Sequence, residues 1–224
     1  MHLRLLVQVN AQPNLNVYFC SSDKLLMNFL AHAFLSGDDP EVLFGNFVAD
    51  SIKGKMIKKY SGAMLLGVHL HRAIDAFTDQ HPVVIQSVNR LRPEFLRFSP
   101  VIVDVYYDHF LAANWASYSS QDLTAFSVEV YRVLLRNFSK LPPRSKRMLP
   151  WMMAQNWLTG YANLTDLNRS FTMMSRRVSF ESRMEYAVDF LKLNYSDFEQ
   201  DFKLFFPDLI NESERVLKQL SAEK

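Results

Sequence analysis

Glycine is scarce, with 6 in 224 residues, against an average usage of roughly 7%. Tight β-hairpins demand positive φ, which glycine adopts most readily, so an all-β chain is disfavoured and helices are favoured. Cysteine occurs once, as Cys20. A lone thiol forms no internal disulfide and no thiolate zinc site, and it fits a reducing compartment. Neither sign of charge dominates: 25 Lys and Arg face 23 Asp and Glu, a net charge of +2, so no chain-wide field attracts polyanions. Long apolar runs are missing too. The longest charge-free stretch, residues 148–165, is broken by Pro150, Gln155, Asn156, Gly160 and Asn163, which makes it too polar to span a bilayer. Arg4 followed by Leu5, Leu6 and Val7 is far shorter than the core of a signal peptide. The reading is a soluble, cytoplasmic protein.

Apolar side chains make up 49% of the residues and charged ones 21%, ample for a packed core. The length suits one domain. Residues 1–26, with Gln12-Pro-Asn-Leu-Asn16, carry no helical period and read as an irregular extension. Residues 27–224 read as successive helices. Asp39-Pro40 opens one that runs to about Ser51, and Ser61 precedes another reaching Asp79. His81-Pro82 closes that helix and starts the next, and Ser99-Pro100 begins one reaching about Ala116. Between Asp122 and Arg136 apolar residues recur at helical spacing. Pro142-Pro143 breaks the chain ahead of an aromatic stretch, Thr165-Asp166 caps a further helix, and two more follow around 181–194 and 207–222. The expectation is an all-α, single-domain bundle.

Polar residues on these helices point to function. Asn28 and His32 lie four apart and share a helix face, as do Asn46 and Asp50. His71, Asp75 and Asp79 step by four along a third helix, with Arg72 beside them. Asp108 and His109 sit on a helix that is apolar almost all round, from Val101 to Leu111. Such a helix is buried, and a buried carboxylate needs a partner or a metal. Helices that each bring an Asp or His inward can form a metal site. The candidate ligands are His32, Asp50, His71, Asp75 and Asp108. A His and carboxylate shell without cysteine suits Mn²⁺, Mg²⁺ or Fe²⁺, and an open position would lower the pKa of a bound water. Arg72 would hold a phosphate oxygen, His109 would transfer a proton, and Asp79 stands beside them. His69 falls off this stripe, and Trp115, Trp151 and Trp157 read as core or cleft wall.

Four segments taken together, Met27 to Ser36, Gly45 to Asp50, Gly67 to Pro82 and Asp104 to Leu111, resemble the acyl carrier protein phosphodiesterase family in content and order. The resemblance implies an all-helical fold distantly related to HD-type metal phosphohydrolases, although the adjacent pair here reads Asp108-His109, in reverse order. It implies hydrolysis of the phosphodiester joining 4′-phosphopantetheine to a serine of holo-acyl carrier protein, with a divalent cation, typically manganese. Its motif positions here are Asn28, His32, Asn46, Asp50, His71, Arg72, Asp75, Asp79, Asp108 and His109. Chains of this family usually begin at the position of Met27, so the resemblance makes residues 1–26 an addition. The implied partner, a small and strongly acidic protein, calls for a basic rim. Lys53, Lys55, Lys58 and Lys59 are the preferred group, ahead of Arg90, Arg92 and Arg97 and of Arg144, Lys146 and Arg147. The alternatives are a phosphohydrolase acting on a nucleotide or other small phosphoester, and a helical binding protein without catalysis.

Overall fold

The computed structural model describes residues 28–178 and 181–222. The extension expected over residues 1–26 lies outside them. The described residues are all-helical, with no strand. Eleven α-helices follow one another: α1 (Phe29–Phe34), α2 (Pro40–Val48), α3 (Gly62–Gln80), α4 (Pro82–Phe95), α5 (Ser99–Ala113), α6 (Leu123–Arg136), α7 (Pro143–Ala154), α8 (Trp157–Gly160), α9 (Leu164–Ser175), α10 (Ala187–Leu193) and α11 (Tyr195–Ala222). No helix among the described residues is long and apolar enough to cross a membrane.

Side-chain caps mark the starts of α2, α6 and α9, and proline opens α2, α4, α5 and α7. Asp39 accepts from the amides of Glu41 and Val42 ahead of Pro40, and Asp122 accepts from Thr124 and Ala125. Such caps satisfy amides that the first helical turn leaves unpaired. Three expectations are corrected. Asn163, not Thr165-Asp166, caps α9, accepting from the Thr165 amide. Pro143 opens a helix instead of only breaking the chain, and Pro150 rides inside it. The C-terminal helix starts at Tyr195 and carries Pro207 within it, because its apolar face, Phe198, Phe202, Phe205, Phe206 and Leu209, is buried and outweighs one lost backbone hydrogen bond.

Helix α5 runs through the middle and is buried on nearly every side. Tyr106 meets Phe171 and Phe198 edge-on, and Phe110 stacks on Phe202, so aromatic contacts tie α5 to α9 and α11. Helices α2 and α3 touch backbone to backbone. A Cβ on Gly45 would lie 1.9 Å from the Met64 carbonyl oxygen, and one on Gly67 would lie 2.0 Å from that of Val42. Only glycine permits this approach, and it sets the register between the helix carrying Asn46 and the helix carrying His71 and Asp75.

Candidate metal centre

Three helices and one short turn deliver the cluster. His32 comes from α1, Asn46 from α2, Asp50 from the 3₁₀ turn Ala49–Ser51, and His71 and Asp75 from α3. The two imidazoles stack 4.1 Å apart between centroids, at 25°, and both are buried.

Asn46 organises them. Its amide nitrogen donates to the His32 carbonyl at 2.9 Å and to the Ser36 hydroxyl at 3.0 Å, while that hydroxyl donates to the same carbonyl at 2.7 Å. A carbonyl only accepts, so these contacts assign the nitrogen end and turn Oδ1 towards the rings. Oδ1 lies 2.9 Å from His32 Nδ1 and 3.1 Å from His71 Nδ1. Both rings therefore donate from Nδ1, and in the neutral form each Nε2 carries a lone pair.

Those two Nε2 atoms are buried without a hydrogen-bond partner. What they face is carboxylate oxygen. His32 Nε2 lies 3.3 Å from Asp75 Oδ1, and His71 Nε2 lies 3.4 Å from Asp75 Oδ2 and 3.3 Å from Asp50 Oδ1. Donor atoms of His32, His71 and Asp75 all fall within 4.8 Å of one another. Nitrogen lone pairs turned towards anionic oxygens repel unless a positive charge stands between them. Around a cation with bonds of about 2.1 Å, neighbouring donors sit about 3.0–3.4 Å apart, and the residues present fit such an ion. Burial lowers the His32 pKa, and the His71 ring beside it adds to this against the pull of Asp75 and Asp50. The centre thus favours a neutral, metal-competent ring over an imidazolium. The cluster opens on its acidic side: the Asp75 side chain is 27% exposed and Asp50 15%, against 4% for His32 and 6% for His71.

The structure brings four of the five expected ligands together: His32, Asp50, His71 and Asp75. It takes Asp108 elsewhere. Asp108 is fully buried, but its two oxygens accept from the amides of Leu30 and Ala31 at 3.0 and 2.8 Å, and Tyr161 bonds it from a third side. The partner that burial required is the N-terminus of α1, not a cation. Burial pushes its pKa up to about 7 against these donors. His109 points away as well, since one helical step turns a side chain by about 100°. Its Nδ1 donates to the Tyr161 carbonyl at 2.7 Å and its Nε2 lies 3.0 Å from the Tyr195 hydroxyl. Arg72 is exposed beside His71, Asp79 is exposed a turn beyond Asp75, and His69 is exposed. The role of Asn46 was not foreseen, though a signal existed: an amide on an otherwise apolar helix must be hydrogen-bonded.

A helical protein with a preorganised His and carboxylate centre is the class that the fold and site define. The family model of acyl carrier protein phosphodiesterase matches residues 27–209, and the chain belongs to that family. It is 30% identical over 189 residues to an acyl carrier protein phosphodiesterase of Photorhabdus laumondii, covering 84% of this chain and 96% of the relative. It is 29% identical over 194 residues to one of Escherichia coli, covering 84% and 98%. One of Klebsiella pneumoniae is 31% identical over 196 residues, covering 87% and 100%. No solved structure matches the chain.

Proposed function

We propose that this chain hydrolyses the phosphodiester between 4′-phosphopantetheine and the carrier serine of holo-acyl carrier protein, using a divalent cation, manganese, at the cluster of His32, Asp50, His71 and Asp75. The observation that carries the metal reading is the pair of unpartnered Nε2 atoms aimed at carboxylate oxygens. Family membership supports the substrate. The reaction adds the oxygen of water to phosphorus, breaks the bond from phosphorus to the serine oxygen, and leaves the proton on that oxygen.

When bound, the cation supplies Lewis acidity and a water of lowered pKa. The residues do the rest. Asn46 keeps both imidazoles in the tautomer that presents Nε2. Asp75 spans the two rings with its two oxygens, and Asp50 flanks His71 from the other side. Arg72 follows His71 on α3 and is exposed, and the proposal gives it the role of holding a phosphate oxygen. His109 has both ring nitrogens engaged in the interior and is not assigned the proton transfer. Kinship with HD-type phosphohydrolases is part of the proposal. It is supported by a ligand set gathered from separate helices, while the Asp108-His109 pair lies apart from that set.

The test is to incubate the purified protein with holo-acyl carrier protein and Mn²⁺ and weigh the carrier by mass spectrometry. Loss of the phosphopantetheine mass is expected with the wild type, with chelator abolishing it and Asp75→Asn losing both Mn²⁺ affinity and turnover. An intact carrier alongside cleaved nucleotides would replace this substrate, and inertness towards both would remove the hydrolase reading.

A further inference from the structure

The two longest stretches of the chain without an acidic residue are 51–74 and 130–165. The fold lays them against each other. The Ser145 hydroxyl meets that of Ser51 at 3.1 Å, and the Tyr60 hydroxyl donates to the Lys140 carbonyl at 2.9 Å. Exposed along this junction are Lys55, Lys58 and Lys59 from the first stretch and Lys140, Arg144 and Arg147 from the second. In a molecule whose net charge is only +2, this is a segregated positive face. The group of Arg90, Arg92 and Arg97 does not extend it, because Arg90 is drawn onto the buried Asp201 at 2.6 Å.

The same face exposes aromatic surface. Trp151 is 64% exposed and Phe138 42%, although an indole was expected in the core or a cleft wall. Arg144, Arg147 and Trp151, at spacings of three and four, share one face of α7. The Lys146 ammonium lies 5.8 Å from the Phe138 ring. Exposed tryptophan among arginines is the composition of energetic centres in protein–protein interfaces. The face also begins beside the centre: Ser51, hydrogen-bonded to Ser145, follows Asp50 directly, on the open, acidic side of the cluster.

We infer that the 51–60 and 138–151 segments form one docking face for an acidic protein, the carrier whose prosthetic group must reach the cluster; this rests on the reading proposed above. Positive charge steers the acidic partner, and Trp151 anchors it. The docking face is therefore composite, built jointly by the Lys55 to Lys59 segment and α7.

The test titrates labelled holo-acyl carrier protein with the wild type, with Lys55→Glu/Lys59→Glu/Arg147→Glu, with Trp151→Ala, and with Lys192→Glu/Lys203→Glu/Lys218→Glu, which makes the same charge change elsewhere. Hydrolysis of the carrier and of bis(p-nitrophenyl) phosphate is followed in parallel. The face variant should bind the carrier at least about tenfold more weakly, with KM raised to match, and Trp151→Ala should weaken binding at unchanged charge. Both should turn over the small diester at the wild-type rate, and the control should bind as the wild type does. Carrier binding by the face variant equal to wild type overturns the docking face and leaves the hydrolase reading standing. Binding through the face without cleavage upholds the docking face and removes the hydrolase reading. Wild-type binding of duplex DNA or phosphatidylglycerol vesicles through these residues, without carrier binding, overturns the partner class.

Discussion

Removing Asn46 tests the centre most directly. Asn46→Ala deletes the one acceptor that serves both imidazoles, at 2.9 and 3.1 Å. If the rings keep their tautomers, two buried N–H groups lose their partner, at about 1–3 kcal/mol each, or about 2–6 kcal/mol together. The rings can avoid this by moving the proton to Nε2, where carboxylate oxygens wait at 3.3–3.4 Å. That relief occupies the lone pairs a metal needs. Either route weakens Mn²⁺ binding. Loss of an outer partner to a metal-binding histidine costs about 10–100-fold, and here both rings share the partner, so about 100-fold is expected. The His32 carbonyl keeps its bond from Ser36, so the local backbone retains part of its support. Titration calorimetry with Mn²⁺ gives the affinity, and long-range proton–nitrogen NMR of the histidine rings gives the tautomer. Wild-type affinity in Asn46→Ala, or a proton on Nε2 of His32 and His71 in the metal-free wild type, would refute the reasoning.

Two further predictions concern the frame around the centre. Gly67→Ala drives a Cβ to 2.0 Å from the Val42 carbonyl oxygen and 2.8 Å from the Asn46 amide, and neither backbone atom can yield. Overpacking of this kind costs about 3 kcal/mol, a fall in Tm of about 6–12 °C at this size; a metal-free thermal melt that does not move would contradict it. Asp108 titrates at about 7 in the fold against an ordinary 3.8. The native state therefore holds its proton where the unfolded chain has released it. The resulting stability is full below about pH 4, is lost as pH rises to about 7, and is flat beyond, at most about 4 kcal/mol. Urea unfolding with chelator present should show the difference between wild type and Asp108→Asn shrinking from about pH 4 to about pH 7, and a difference that grows with pH would overturn the assignment.

What could be read from the sequence was whatever local chemistry decides. Asp39-Pro40 marks a helix boundary through its cap and His81-Pro82 through the missing proline donor, and the helices begin there; α3 begins directly after Ser61, whose side chain makes no cap bond. The step of four from His71 to Asp75 put both on one helix face, and both reach the cluster. Tertiary packing hid the rest. Pro207 looked like a start because its local cost is visible, while the phenylalanine face that overrides it is visible only once α11 is packed. Asp108 was rightly expected to need a buried partner, but a periodic pattern cannot distinguish a cation from two backbone amides on a helix distant in sequence. Asn46 showed only that it must be bonded; that it serves two rings at once depends on the glycine contact between α2 and α3.

Helix α1 has six residues, too few to stay wound in water unaided. Its turns are held from outside, by the Asp108 carboxylate at its start and by the Asn46 amide on the His32 carbonyl. One of the two imidazoles is thus mounted on the least self-sufficient piece of the assembly. Unwinding that piece would swing His32 out and dismantle the cluster in one movement, so, on the metal reading proposed above, ion release and melting of this short coil would coincide, and hydrogen exchange at Leu30 and Ala31 would register it.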